Sequence, residues 1–282
     1  MGFDISPDVA ERSESETLFD WEDGLPADLR ERYGFAALRL GGGVALSVRD
    51  DSTLFWNKAL GFGFEEPVTA ELIGRIDDFY RLNGTPQATI QLAPAVIPAD
   101  WDEIRAKTNL SAGSTWVKLA CDTEVALSRT ARGLDEGLRV EPVEPAQAAE
   151  WSATLNRVFG MDNEIARSMA AASVGRPGWH PYAVWAGDRI VATATLYVRG
   201  DTAQFFAGAT VPEVRGRGAQ SALIAARVRA AQAAGCRRLV AETGAEGPGE
   251  HNPSLHNLRR AGFEVLYERT NWTWRPDRPA QG

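Results

Sequence analysis

Cysteine is scarce in this chain: 282 residues hold only two, Cys121 and Cys236. Two thiols cannot supply a disulfide framework or a cysteine-rich metal site, so both are expected to be small core residues. Histidine is nearly as rare. His180, His251 and His256 lack partners at ligand spacing, with Pro253 between the last two, and no metal is expected. Long apolar runs are missing as well; none approaches the ~18 residues of a membrane span. The N-terminal MGFDISPDVAERSESE is acidic and lacks the basic-then-apolar order of a secretory leader, so a soluble cytoplasmic protein without membrane partners is expected. A cationic excess is absent too. The formal net charge of −8 leaves no broad basic surface to follow nucleic-acid phosphates.

What is present is enough apolar material, 44% of the residues, for two modest domains. In the C-terminal half, LRVEPVEP (138–145) reads as a strand, and two helical stretches follow with Trp151, Leu155 and Val158 on one side. YAVWAGDRIVATATLYVRGDTAQFFAGATV breaks at Ala186-Gly187-Asp188 and at Gly200-Asp201, as an antiparallel meander does. Residues 216–234 then predict an Ala-rich helix stopped by Gly235, CRRLVAET a short buried strand, and 253–261 a helix before the strands FEVLYER and NWTWRP. The class is α/β. The polar, unpatterned DTEVALSRTARGLDEG (122–137) reads as a linker, which gives domains at 1–121 and 138–282. An internal repeat connects them: Leu72, Ile73 and Gly84 stand 151 residues before Leu223, Ile224 and Gly235, and a strand, a short helix and a closing strand follow in both copies.

One stretch stands out in so acidic a chain. ATVPEVRGRGAQSAL (209–223) places Arg215 and Arg217 beside Gly216 and Gly218 where a strand gives way to a helix. A helix N-terminus carries unpaired N–H groups and a partial positive charge, and so suits an anion. The glycines let the backbone approach it, the arginines can clamp phosphate oxygens, and Ala219, Gln220 and Ser221 offer first-turn N–H groups. Taken alone, the spacing fits a Gly-rich turn with solvated arginines equally well. A P-loop would need Lys-Ser/Thr where Ala-Gln stands, and no GxGxxG opens a βαβ unit here. At the equivalent place in the first half the chain reads FEEPVT (64–69), with two anions and a proline in place of the cations, a poor phosphate site.

V-P-E-V-R-G-R-G-A followed by a helix resembles the acyl-CoA pyrophosphate loop of the GNAT superfamily of N-acyltransferases, whose pattern is Gln/Arg-x-x-Gly-x-Gly/Ala. Arg215 and Gly218 match it; Gln220 departs from its small last residue. The resemblance runs from about Leu138 to Trp274, and NPSLHNLRRAGF (252–263) is similar to the family's second CoA segment. It implies two GNAT-like domains, each a mixed sheet flanked by helices, the first a degenerate copy that shapes the acceptor cleft. It also implies a direct transfer of the acetyl group of acetyl-CoA to a primary amine of a small molecule, by a monomer or homodimer. Another acyl-CoA donor, or a silent CoA-binding module, are the alternatives. In the family a strand ahead of the loop splays from its neighbour and a backbone N–H meets the thioester carbonyl. By position that donor is the Val211 N–H, since Pro212 has none. Asn252 is expected to face the pantetheine arm as well as to cap its helix.

Catalytic side chains have to be nominated from position. Glu242, near the end of CRRLVAET, is the expected general base, although a strand-end carboxylate is an equal reading. An imidazole can exchange protons near neutral pH, and His256 lies near the expected CoA arm, where a solvated helix face would also explain it. Tyr267 could give a proton to the thiolate or simply pack in its strand. Where many family members carry a Tyr as general acid, this chain has Leu258. Trp179, His180, Trp272 and Trp274 could line an acceptor pocket or belong to the core.

Overall fold

Strand and helix patterns alternate along the whole chain, and in the computed structural model, which describes residues 5–130 and 133–276, they gather into two units. The first unit takes residues 6–117 and 267–276; the second takes the described residues of 118–266, with Ile5. In chain order the first half contributes α1 (Pro7–Asp23), α2 (Ala27–Arg32), β1 (Phe35–Leu40), β2 (Gly43–Val48), β3 (Lys58–Leu60), α3 (Ala70–Leu82), β4 (Ala88–Gln91), α4 (Trp101–Lys107) and β5 (Leu110–Asp122). There follow α5 (Thr123–Arg129), β6 (Leu138–Pro142), α6 (Ala148–Phe159), α7 (Glu164–Ser173), β7 (Trp179–Ala186), β8 (Arg189–Arg199), β9 (Thr202–Thr210), α8 (Ala219–Ala233), β10 (Arg238–Gly244), α9 (Pro253–Arg260) and β11 (Glu264–Trp274). Among the described residues no helix is long and apolar enough to cross a membrane.

Both units use one topology. In the first, β1 and β2 pair antiparallel, β2 and β3 antiparallel, and β3 and β4 parallel. In the second, β7-β8-β9-β10 repeats that antiparallel, antiparallel, parallel run, with β6 added beside β7. The closing strands come from opposite halves of the sequence. Asn271–Trp274 of β11 pair with β4 in the first unit, while β5 neighbours β10 in the second. The segment 122–137 is not all irregular. Asp122 accepts hydrogen bonds from the Glu124 and Val125 N–H groups and so caps α5, a seven-residue helix too short to show apolar periodicity in sequence.

Each core follows from its helices. In the first unit Thr69 caps α3 by accepting from the Leu72 N–H, and Leu72, Ile73, Ile76, Phe79 and Tyr80 form the face that packs with Ile90, Trp101 and Trp274. In the second, α8 is buried over most of its circumference. Its small alanines let it lie close to β7, β8 and β9, where Ala219 and Leu223 pack with Val184, Val191, Ala192 and Val211.

The first unit also encloses charge. Arg269 reaches Glu11 and Glu14 at 2.6 Å, with all three side chains buried. Glu22 is buried with neither oxygen hydrogen-bonded by a described residue. Burial raises its pKa well above the ordinary carboxylate range; nearby Lys58 opposes the shift and Asp51 adds to it.

Candidate functional site

In the second unit β9 and β10 part company. Their pairs run Arg238 with Thr202, Leu239 with Ala203 and Val240 with Gln204, and stop there, although β9 continues to Thr210 and β10 to Gly244. A bulge explains the divergence. Thr193 faces Ala209 and Thr195 faces Phe206, so Ala207 and Gly208 together oppose one residue of β8, and Ala207 takes a positive φ of 53°. One extra residue bends the bulged strand and raises its twist.

The bulge also fixes which backbone donors face the gap. The Val211 N–H donates to the Val191 carbonyl at 3.0 Å and is therefore occupied, which corrects the expectation that it serves the thioester carbonyl. In an antiparallel ladder hydrogen-bonded pairs alternate, so the Thr210 N–H, one residue earlier, points away from β8 toward the β10 side.

Past β9 the chain makes a 3-10 turn, Pro212–Val214, and α8 begins at Ala219. Val214 and Ala219 are both buried, so the loop hangs from two core anchors and turns Arg215 to Gly218 outward. Gly216 and Gly218 have φ of 80° and 81°, in the region that side chains resist. A Cβ at Gly218 would stand 3.1 Å from the Gly133 carbonyl oxygen. No side chain caps α8. Among the described residues none accepts from the N–H groups of Gly216, Gly218, Ala219, Gln220 or Ser221, so the start of α8 keeps the open donors of an uncapped helix end.

The two arginines differ. Arg215 is exposed and contacts no described carboxylate. Arg217 donates from Nε to Asp135 Oδ2 at 3.2 Å, a tie to the supposed linker that sequence spacing gives no hint of. Gln220, the departure from the family loop, turns toward α9: its Nε2 donates to Ser254 Oγ at 3.1 Å, and its Oε1 accepts from Asn257. It therefore braces the first turn of α8 against α9 and leaves its backbone N–H free. Beside that turn opens a cleft lined by Arg129, Thr130, Ser221, Ile224, Asn257, Arg260 and Ala261.

Other candidates fall in several places. Glu242 lies on β10 beyond its last pair with β9, bordering the gap, and its Oε2 is 3.5 Å from the buried Lys118 Nζ on β5. Asn252 uses its whole amide locally. Its oxygen accepts from the Ser254 and Leu255 N–H groups, and its nitrogen donates to Thr243 Oγ1 and the Gly244 carbonyl. It ties α9 to the end of β10, and no side-chain donor is left to face a pantetheine arm. Leu258 is buried. His256 Nε2 is 2.9 Å from Glu246 Oε1, and His251 Nδ1 is 3.7 Å from the same oxygen. The Glu246 carboxyl is held below the ordinary range, first by the Asn252 N–H and then by His256. Glu246 was missed in the sequence because its separations from the two histidines match no helix or strand period.

One catalytic nomination is corrected, and the tryptophans take the core alternative. The Tyr267 hydroxyl donates to Glu11 at 2.7 Å, inside the buried ion network of the first unit; burial and that carboxylate push its pKa far up, and its proton is held there. Trp274 is fully buried against Tyr80 and donates to Asp77, and Trp272 packs on Trp101, so both belong to the first core and line no acceptor pocket. Trp179 is buried beside Tyr197 and Phe206, with His180 half-buried next to it and its pKa lowered by burial. The cysteines are buried thiols, as expected; burial pushes Cys121 up to about 12.

Residues 122–247 match the family model described as an acetyltransferase (GNAT) domain. No curated protein matches the chain. Among solved structures, a GCN5-related N-acetyltransferase from Kribbella flavida is similar at a TM-score of 0.61 and 14% identity, over 97% of this chain and 98% of that one. A tandem GNAT protein from the clavulanic acid biosynthesis pathway is similar at 0.61 and 14%, over 95% and 98%. A GCN5-related N-acetyltransferase from Sphaerobacter thermophilus gives 0.53 and 15%, over 97% and 95%. At these identities the likeness is one of fold, and it extends over nearly the whole chain. Residues 122–247 thus match a GNAT acetyltransferase domain, and the whole chain has an α/β fold like that of a tandem GNAT protein.

Proposed function

We propose that the second unit binds acetyl-CoA and transfers its acetyl group directly to a primary amine of a small molecule. The observation that carries this reading is the cradle at the start of α8, five N–H groups without a described acceptor beside exposed Arg215, opening next to the gap between β9 and β10. The pyrophosphate sits in the cradle, held by those N–H groups, the helix dipole and Arg215. Arg217 joins it by exchanging Asp135 for phosphate. Arg129 and Arg260, on the adjoining cleft, supply charge for the remaining 3′-phosphate, so dephospho-CoA should bind more weakly than CoA. The pantetheine arm runs into the gap, where the Thr210 N–H takes the place foreseen for Val211 and donates to the thioester carbonyl as negative charge develops on it.

The amine nitrogen then attacks the carbonyl carbon, and its proton passes through water to Glu242. The carbon–sulfur bond breaks as the tetrahedral intermediate collapses, and the thiolate takes a proton from solvent, since residue 258 is a buried leucine. The first unit, with its acidic loop, is a degenerate copy without a CoA site. Thiol release over a panel of primary amines, with acetyl-CoA calorimetry, tests this. Turnover is expected with at least one amine, and Glu242→Gln should lower kcat by about 100-fold or more at unchanged CoA affinity. CoA binding without turnover on any amine would leave a silent CoA-binding module, which the buried Leu258 favours. Absence of CoA binding would overturn the reading altogether.

A further inference from the structure

The turn after β10 gathers three side chains to which the proposed acyl transfer assigns no step. Glu246 lies in this turn, His251 just ahead of α9, and His256 within α9. His256 Nε2 and His251 Nδ1 approach the same Glu246 oxygen at 2.9 and 3.7 Å. The imidazole rings lie 4.4 Å apart at 30°, and one donor atom from each of the three residues falls within 4.8 Å of the others. We propose that Glu246, His251 and His256 form a site for a divalent transition-metal ion, Zn2+ foremost, that clasps the 245–251 turn to α9.

The donor set selects the class of ion. Two imidazole nitrogens and one carboxylate oxygen suit Zn2+ and its neighbours, whereas Ca2+ and Mg2+ favour oxygen throughout. Metal–donor bonds of about 2.0–2.2 Å in a tetrahedron place donors about 3.3–3.6 Å apart, so closure takes small side-chain rotations and no refolding. Glu246 is already oriented by the Asn252 N–H, and the turn before His251 is closed by Gly247 and Glu250 bonding to each other.

A plain ion pair accounts for only part of this. One hydrogen bond joins His256 and Glu246, but it leaves unexplained why His251 lies 3.7 Å from the same oxygen with its ring 4.4 Å from that of His256 and tilted 30° to it. A single cation held by both imidazole nitrogens and the carboxylate oxygen accounts for all three side chains. Side-chain exposures of 68% for His251, 39% for His256 and 25% for Glu246 leave the ion a path from solvent and a fourth position for water. This site stands independently of the acyl-transfer reading.

The experiment uses the full chain without a polyhistidine tag, titrated calorimetrically with Zn2+ and followed by the visible absorption of Co2+. One equivalent of Zn2+ is expected, with Co2+ bands of low-coordinate intensity and a rise in Tm with added Zn2+. His251→Ala with His256→Ala should weaken binding at least 100-fold, Glu246→Gln at least tenfold, and His180→Ala should change nothing. Far-UV circular dichroism of each variant shows that it is folded. Zn2+ affinity unchanged in the double variant, or equal in wild type and all variants, would overturn the proposal, as would the absence of any heat or Co2+ band in the wild-type protein.

Discussion

The two units start corresponding helices in opposite ways. Before α3 the chain reads FEEPVT: Glu65 pairs with Arg12, Glu66 with Arg75, Pro67 has no N–H, and the Thr69 hydroxyl takes the Leu72 N–H. Before α8 it reads RGRGAQ, and no side chain caps the helix. One N-terminus satisfies itself; the other leaves its donors for something else. The strands in front differ likewise, since β3 has three residues while β9 has nine and runs past its partner. One topology therefore supports either a helix start capped by its own side chain or one left uncapped, and the difference rests on a bulge, two glycines and the sign of two side chains.

The sharpest way to break the contrast is to close the open end. Gly218→Asp puts a self-capping carboxylate into the cradle and a Cβ 3.1 Å from the Gly133 carbonyl oxygen. CoA affinity should fall by about 100-fold or more by calorimetry, the equivalent of about 2.7 kcal/mol. Arg215→Ala removes one charge-assisted clamp and leaves the backbone donors; a fall of about tenfold is expected. Arg217→Ala should cost less than Arg215→Ala because Asp135 already competes for that guanidinium, and equal losses would show that the pair with Asp135 does not persist in the complex.

Stability offers a contrast inside the first unit. The raised pKa of Glu22 means that its contribution is fully present below the ordinary carboxylate pKa and is lost as pH rises through the folded value. Glu22→Gln cannot titrate, so its Tm should match wild type near pH 4 and exceed it at pH 8, by about 2–4 °C for a gain on the order of 1 kcal/mol. A gap that widens toward acid would refute the sign. Smallest of all, Glu65→Lys with Glu66→Lys should leave CoA at one per chain, because Thr69 and Pro67 still close that helix end; a second equivalent would show that charge alone separated the two loops.

Much of this was legible in the sequence. The alternation of strands and helices, the Ala-rich helix after Gly218, the cap at Asn252 and the repeat at a spacing of 151 residues all come from local propensity and period, which act over a few residues. The exchange of closing strands was not, because NWTW and STWVKLA read as strands whichever sheet receives them. Nor was the fate of Tyr267 and Trp274, since a tyrosine in a strand reads alike whether its hydroxyl meets a substrate or Glu11.

By itself the sequence determined an α/β chain with one cationic, glycine-rich turn in its second half and an acidic counterpart in its first. Positive φ needs glycine and a helix end needs a cap, and both requirements can be read residue by residue. Only the tertiary structure decided which N–H groups remain free, because the bulge at Ala207 sets the direction of every donor after it. Tertiary structure also decided that Gln220 would brace α9, that Arg217 would meet Asp135, and that two histidines would converge on Glu246. Those contacts join residues whose spacing follows no period, and no local rule could bring them together.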